Sequence, residues 1–350
     1  MAFGEVNNIS EIVHQSPPVD TSIPYDLASL AGKTILITGG ASGFGAAFAR
    51  KWAQHGAHIA VGDIDDAAGE ALVAELRTTI PGGKYHHYHH CDVTDWQSQV
   101  AFFRTAVERS ATGGIDAAVP NAGISENETP AGNRGHECPE PAPGSPSDVI
   151  ADPKPPRLHV IGVNLTGVLY SVHLALYWLP RNTKAGAAKC DRHLLLISSI
   201  AGILGLPGQA QYTAAKHGVV GLFRALRGTV YRQGIRVNML CPYFVETNIV
   251  PATGKLLLAG ASKATVADVI DAGTRFMADE AVRGRALAIG PRALLEGDED
   301  HFKVVSKAGP DVREKAVFEC YAHDFENCEV FVLRYTRLIN YLTLLRGWLG

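Results

Sequence analysis

Short apolar runs alternate with stretches of helical period along most of the chain. Thr34–Thr38 is a β-branched run of the kind that forms a strand buried on both faces. Glycines at 39, 40, 43 and 45 follow it, and Ala46–His55 has helical composition. Ala57–Val61 reads as a second strand ending in Gly62-Asp63, Asp66–Arg77 as a helix, and Lys84–His90 as a third strand. A helix near Trp96–Ser110 then precedes the strand Ile115–Val119. Strand and helix alternating at this spacing predict right-handed crossovers and a doubly wound parallel sheet in a three-layer αβα domain.

The pattern lapses between Ser125 and Pro156. Eight prolines and three glycines there exceed what either period tolerates, so 124–157 is read as an inserted surface loop. Regular structure resumes with the helix Val160–Leu179, the strand Leu194–Ile197, a helix from about Tyr212 to Arg232 and the strand Arg236–Leu240. A last pair near Val266–Met277 and Arg285–Ile289 completes the expected sheet. Residues 1–30, punctuated by Pro17, Pro18 and Pro24, read as a loosely held arm. Residues 31–292 form the expected single domain, and 293–350 a helical C-terminal appendage. Near its end Phe331, Tyr335, Leu338, Leu342, Leu345 and Leu349 recur every three or four residues, with Arg334, Arg337 and Arg346 at the edges of that face or off it. Such a face covers a subunit contact or a substrate cleft; a membrane-surface anchor is the competing reading.

Composition narrows the function. Thirty-two Lys and Arg against 35 Asp and Glu give a formal charge of −3, leaving no basic excess for nucleic acid. Six scattered cysteines with no CxxC pair suit a reducing compartment, and MAFGEVNNISEIVH has no secretory pattern, so a cytoplasmic protein is expected. No Lys, Arg, Asp or Glu stands between Arg157 and Arg181, a length that could span a bilayer. His159, Asn164, Thr166, Ser171 and His173, with Gly162 and Gly167, point instead to a buried helix, and membrane contact is not expected.

Two constellations carry chemistry. Thr38-Gly39-x-x-x-Gly43-x-Gly45 follows a strand and opens a helix, where backbone N–H groups and the dipole's positive end can receive a pyrophosphate. Asp63 ends the second strand, where a carboxylate can accept from a ribose diol. With Asp65 and Asp66 beside it and no neighbouring cation, it repels a 2′-phosphate and favours NAD over NADP. The second constellation is Tyr212-x-x-x-Lys216, which puts a phenol and an ammonium on one helix face. The ammonium lowers the phenol's pKa and makes it a usable acid or base. Ser199 follows the Leu194–Ile197 strand, at the edge where open α/β sheets bind ligands. The run Tyr85–His90 would split its histidines between two strand faces, so no metal is expected. Cys91 and Cys241 are read as packing residues.

These motifs resemble the short-chain dehydrogenase/reductases, in their single-domain branch. The resemblance rests on Thr38–Gly45, Asp63, Cys91-Asp92-Val93, Asn121-Ala122-Gly123, Asn164, Ser199, Tyr212 with Lys216, and Pro242-x-x-x-x-Thr247, in order from about Lys33 to Pro291. It implies a Rossmann-like fold and a nicotinamide cofactor. Tyr212 would be the general acid/base. Lys216 would lower its pKa and hold the nicotinamide ribose, Ser199 would steady the substrate oxygen, and Asn164 would anchor a water in a proton relay. Gly39, Ser42, Gly43, Phe44 and Gly45 would line the pyrophosphate. Asp63 and Ile64 would meet the adenosine, and Asp92 and Val93 the adenine. Asn121 would support the central strand, with Ala122 and Gly123 close to the cofactor, and Pro242, Val245 and Thr247 would lie at the nicotinamide end. The chain is also similar to fungal dehydrogenases resembling 15-hydroxyprostaglandin and hydroxyaverantin dehydrogenases.

Two positions depart from the family. Pro120 replaces an Asn before Asn121, and Tyr243 replaces a Gly after Pro242; Tyr243 either narrows the nicotinamide pocket or shields the loop. The expected reaction is NAD-dependent interconversion of a secondary alcohol and a ketone on a bulky hydrophobic molecule. Residues 247–265, with Leu256, Leu257 and Leu258, read as an apolar lid. A homodimer or homotetramer is implied. The alternatives are an NADPH-dependent ketoreductase and a non-catalytic NAD-binding sensor.

Overall fold

The computed structural model describes residues 6–79, 83–126, 153–182, 191–245, 260–297 and 302–349. Its strands are β1 (Val6–Asn7), β2 (Thr34–Thr38), β3 (His58–Asp63), β4 (His87–His90), β5 (Ala117–Pro120), β6 (His193–Ile197), β7 (Arg236–Pro242), β8 (Ala286–Gly297), β9 (Phe302–Val305), β10 (Val312–Cys320) and β11 (Cys328–Glu329). Strands β2 to β8 lie parallel in the order β8-β7-β6-β5-β2-β3-β4. The order reverses between β2 and β5, which opens a crevice beyond their carboxyl ends.

Alternation along the strands builds two apolar layers. On one side Ile35, Ile37, Ile59 and Val61 meet Phe48 and Trp52 of α1 (Gly43–Gln54), Leu72 and Val73 of α2 (Asp66–Thr79) and Phe276 of the helix Val266–Ala278. On the other, Leu36, Leu194, Leu196 and Met239 meet Phe102 and Phe103 of α3 (Trp96–Glu108) and residues of three further helical pieces. These are α4 (His159–Ile161), α5 (Val168–Trp178) and α6 (Ala210–Leu226), with a π-helical turn, Gly162–Gly167, joining α4 to α5. Val266–Ala278 is α7, and Val330–Leu349 is α8.

By length and composition the run His159–Arg181 could cross a membrane, but Val168, Val172, Leu174 and Ala175 of α5 are buried in this second layer. Helix α6 ends at Leu226, short of the expected Arg232, and Gly228 separates it from a 3-10 turn, Val230–Gln233.

The two ends of the chain differ from their sequence reading. The arm is fastened down. Ile9 and Val13 are fully buried, Ile9 N donates to Phe325 O at 2.8 Å, and Tyr231 Oη donates to Ile12 O at 2.7 Å. Arg275 donates to the carbonyls of Asp20, Thr21 and Ile23, and Tyr25 Oη donates to Asp271 at 2.7 Å. Pairing of β1 with β11 ties the arm to the C-terminal segment. The reason is backbone satisfaction, since an arm crossing a buried surface must have its carbonyls met by side chains. The appendage is not purely helical either. β8 runs on through residue 292 to Gly297, and β10 covers its outer edge antiparallel from Cys320↔Ala286 to Val312↔Glu296. An open parallel edge is thus closed by the chain itself. Most of the expected loop 124–157 and lid 247–265 lies outside the described residues.

A buried ion cluster stitches the amino-terminal edge of the sheet. Asp191 receives Lys33 Nζ at 2.8 Å and Arg236 Nε at 2.7 Å and Nη2 at 2.8 Å. Burial opposes ionisation of Asp191, yet Arg236 and Lys33 hold its carboxyl well below the usual range.

His86 and His87 are packing groups, whereas His90 at the end of β4 is exposed and pairs with Asp66 at 2.8 Å. No cluster that could hold a metal occurs among the described residues. His86 and His87 are almost wholly buried, and burial pushes each down to about 4. The folded state therefore binds fewer protons than the unfolded chain between about pH 4 and the ordinary histidine value of 6.5. Stability is expected to be full above pH 6.5 and to fall by a few kcal/mol as pH drops toward 4. Urea titrations at pH 7 and 5 should show a smaller loss for His87→Phe than for the parent; equal losses would refute the assignment.

Candidate active site

The glycine loop after β2 is shaped by backbone contact. Gly39 has φ +62°, and a Cβ there would stand 2.5 Å from the Cα of Ala122. A Cβ on Gly45 would strike the Gly39 carbonyl oxygen. Asn121 holds the loop, its Nδ2 donating to Gly39 O at 2.8 Å and Thr38 O at 3.2 Å. Thr38 Oγ1 in turn accepts from Asn121 N at 3.2 Å. Helix α1 starts from Ser42, whose side chain makes no capping bond, and its first intrahelical bond runs from Ala46 N to Ser42 O. The N–H groups of Gly43, Phe44 and Gly45 precede that bond, as an anion site at a helix start requires.

Asp63 closes the same loop at the end of β3. Its Oδ2 accepts from Ala41 N at 2.9 Å and its Oδ1 from Asp65 N at 3.1 Å. Ile64 beside it is 65% exposed, an apolar side chain offered outward next to a carboxylate. Asp92 accepts from both N and Oγ1 of Thr94 at 2.8 Å. Val93 is buried against Gly167, where a Cβ would meet its side chain at 2.9 Å. Donors, close backbone and an apolar shelf in this sequence fit a dinucleotide.

Beyond the switch point the other motif residues converge. Tyr212 lies in the first turn of α6 and is half-buried. Burial raises its phenol above the ordinary value, and a hydrogen bond with Ser199 pulls it back. Ser199 Oγ accepts from Ala201 N at 3.1 Å, which caps the turn after β6 and fixes the hydroxyl. Lys216 is buried, and its Nζ donates to Ile197 O at 3.2 Å and lies 5.6 Å from the centre of the Tyr212 ring. Burial pushes its ammonium down to about 8. Asn164, in the π-turn, accepts from Ile124 N at 2.9 Å and donates to Ile124 O at 2.8 Å. A Cβ on Gly123 would stand 3.4 Å from Asn164 Oδ1 and 3.8 Å from Lys216 Nζ, so these three meet at one point. π-turns commonly mark such sites.

Pro242 ends β7, its carbonyl 3.5 Å from Ser199 Oγ. Val245 bridges to Ala264, and Thr247 lies outside the described residues. Tyr243 donates N–H to Ile289 O at 2.8 Å and packs against the core layer of α1 and α7, edge-on to Phe244. Two site residues were not singled out from the sequence. Glu126, buried, accepts from Tyr212 N at 3.2 Å and so caps α6 from a distance. Ser198 Oγ donates to Lys216 O at 3.0 Å. Ser198 stood next to a motif residue and could have been found, whereas Glu126 sits in an irregular segment with no local signal.

Comparison with known proteins agrees with this geometry. The family model described as short chain dehydrogenase matches residues 33–255. The chain is 36% identical over 283 residues to the 5′-hydroxyaverantin dehydrogenase of Dothistroma septosporum, spanning 79% of this chain and 90% of that one. It is 34% identical over 295 residues to 5′-hydroxyaverantin dehydrogenase stcG of Emericella nidulans, spanning 81% and 92%. Among solved structures it is similar to levodione reductase, with a TM-score of 0.58 and 25% identity over 74% of this chain and 96% of that one. Since that family model spans more than half of the chain, the chain belongs to the short-chain dehydrogenase family of nicotinamide-dependent oxidoreductases.

Proposed function

We propose that this enzyme is an NAD-dependent dehydrogenase interconverting a secondary alcohol and a ketone on a bulky hydrophobic molecule. The observation that carries this reading is the convergence of Ser199, Tyr212 and Lys216 at the crevice next to Gly123. The Tyr212 hydroxyl takes the proton of the substrate hydroxyl, or returns it to the ketone oxygen. Ser199 donates to that oxygen and steadies the charge that develops on it. Lys216, still cationic at neutral pH, favours the phenolate beside it. Asn164 holds the Ile124 backbone and so positions the wall that Lys216 faces.

The nicotinamide, when bound, supplies or accepts the hydride. Gly39, Ser42, Gly43, Phe44 and Gly45 would hold its pyrophosphate. Asp63 and Ile64 would meet the adenosine and Asp92 and Val93 the adenine. Asn121, Ala122, Gly123, Tyr212, Lys216, Pro242, Val245 and Thr247 would border the nicotinamide half. The hydroxyl-bearing compound in the names of both relatives supports an alcohol substrate, and the apolar 247–265 segment supports a hydrophobic one. We place the enzyme in the cytoplasm as a homodimer or homotetramer.

Asp63 is the basis for NAD over NADP. Asp63→Ala is expected to raise the KM for NAD⁺ about 10–100-fold, the range set by losing hydrogen bonds to a charged acceptor. Nicotinamide absorbance during turnover of hydrophobic secondary alcohols, with NAD⁺ and NADP⁺ in parallel, tests both points. Faster turnover with NADP⁺ in the parent would assign the NADPH-dependent reading instead. Tight NAD binding with no alcohol turned over would favour a narrow substrate outside the panel or the sensor.

A further inference from the structure

The turn between β3 and α2 carries the carboxylates of Asp63, Asp65 and Asp66 within four residues. Like charges this close repel, and each is held by its own donors. Asp63 accepts from Ala41 N and Asp65 N, and Asp65 accepts from Ala68 N at 3.0 Å in the first turn of α2. Asp66 is held from the neighbouring strand instead. Its Oδ1 accepts from Tyr88 Oη at 2.5 Å and pairs with His90 Nδ1 at 2.8 Å.

Tyr88 reaches two points of this turn at once. Its hydroxyl also lies 2.8 Å from the Asp63 carbonyl oxygen, so one proton is shared between a carbonyl and a carboxylate. The ring has no room to relax that geometry. It packs on α2 at Gly69, where a Cβ would strike Cδ2 and Cε2 of Tyr88, and it meets the core layer of Phe48 and Trp52. Burial, and then Asp66, push the phenol well above its ordinary value, which keeps it a donor.

A phenylalanine would fill the same space, so packing alone does not call for the hydroxyl. What the hydroxyl adds is a fixed place for the main chain of Asp63. An aspartate has a single methylene, and where its main chain stands decides where its carboxylate reaches. That carboxylate already holds Ala41 N of the glycine loop at 2.9 Å. A ligand-holding group keeps its aim only when the residues behind it are fixed as well.

We propose that Tyr88 is a positioning residue for the adenosine half of the cofactor, its hydroxyl holding the β3–α2 turn where Asp63 meets both the glycine loop and the ribose diol. The proposal rests on the reading of Asp63 as the ribose acceptor, and Tyr88 acts only through that residue.

Calorimetric titration of the full chain with ADP-ribose, which carries the adenosine half without the nicotinamide, tests this. Tyr88→Phe is expected to weaken ADP-ribose about five- to tenfold, the scale of one net hydrogen bond. The KM for NAD⁺ should rise by the same factor, with kcat at saturating NAD⁺ within about twofold of the parent. In an Asp63→Ala background the same substitution should cost less than about twofold, because the group it positions is gone. A packing role predicts a lower urea midpoint with ADP-ribose affinity unchanged, and that result overturns the proposal. So does a loss of full size that persists in the Asp63→Ala background. Unchanged affinity in Asp63→Ala itself would take down the ribose reading and this proposal with it, whereas a loss in Asp63→Ala with none in Tyr88→Phe overturns this proposal alone.

Discussion

Tyr212→Phe is expected to lower kcat by about a thousandfold or more while leaving NAD binding within about twofold. The substitution keeps the ring that lies 5.6 Å from Lys216 Nζ and removes only the hydroxyl. Packing at the start of α6 is unaffected, since Glu126 caps it through the backbone N–H of residue 212. What disappears is the hydroxyl in hydrogen-bond contact with Ser199, the group proposed to exchange the substrate proton. Its pKa is a balance: burial pushes the phenol up and Ser199 pulls it down. The Lys216 ammonium, 5.6 Å from the ring centre, is itself pushed down to about 8 by burial. Loss of kcat with an unchanged dissociation constant for NAD⁺, read by stopped-flow absorbance and by calorimetry, checks the assignment. Activity within tenfold of the parent would sink the mechanism.

Asp191→Ala is expected to destabilise the fold by about 3–5 kcal/mol, because it strands two buried cations together. Lys33 and Arg236 have side chains 5% and 4% exposed, too deep for water to replace the lost carboxylate. Lys33 keeps a contact with Glu280 at 3.0 Å, but that carboxylate is 37% exposed and screened. Glu280→Ala should therefore change stability by less than about 1 kcal/mol. Urea unfolding of both variants at pH 7 gives the comparison. A loss under about 1 kcal/mol for Asp191→Ala would mean the cluster relaxes on losing its anion. Since Arg236 begins β7 and Lys33 precedes β2, the predicted loss is global, and the carboxyl-end crevice should lose its geometry only as the whole sheet unfolds.

The element order and the glycine loop were legible because their causes are local. A β-branched run followed by Gly39, Gly43 and Gly45 needs no distant partner to declare a turn that admits close backbone. Likewise the spacing of Tyr212 and Lys216 places both on one face of any helix. Ser199 was legible from its position after a strand, where the topology puts every loop of the crevice on one edge.

Other features depend on contacts between segments far apart in sequence. The arm looked loose because Pro17, Pro18 and Pro24 punctuate it; it is held by carbonyl acceptors that any residue possesses. β10 was missed because its almost uniformly half-buried residues, 312–320, gain meaning only beside the bare edge of β8. Glu126 reaches Tyr212 N across 86 positions. The apolar stripe of α8 was visible in the sequence, but not that it faces outward. By itself the sequence determined the strand order's raw material, the glycine loop and the spacing of Ser199, Tyr212 and Lys216, since propensity, period and missing side chains act within a few residues. Only the tertiary structure decided which carbonyls the arm meets, what closes the sheet edge and which way α8 faces, because burial belongs to neighbours and not to residues.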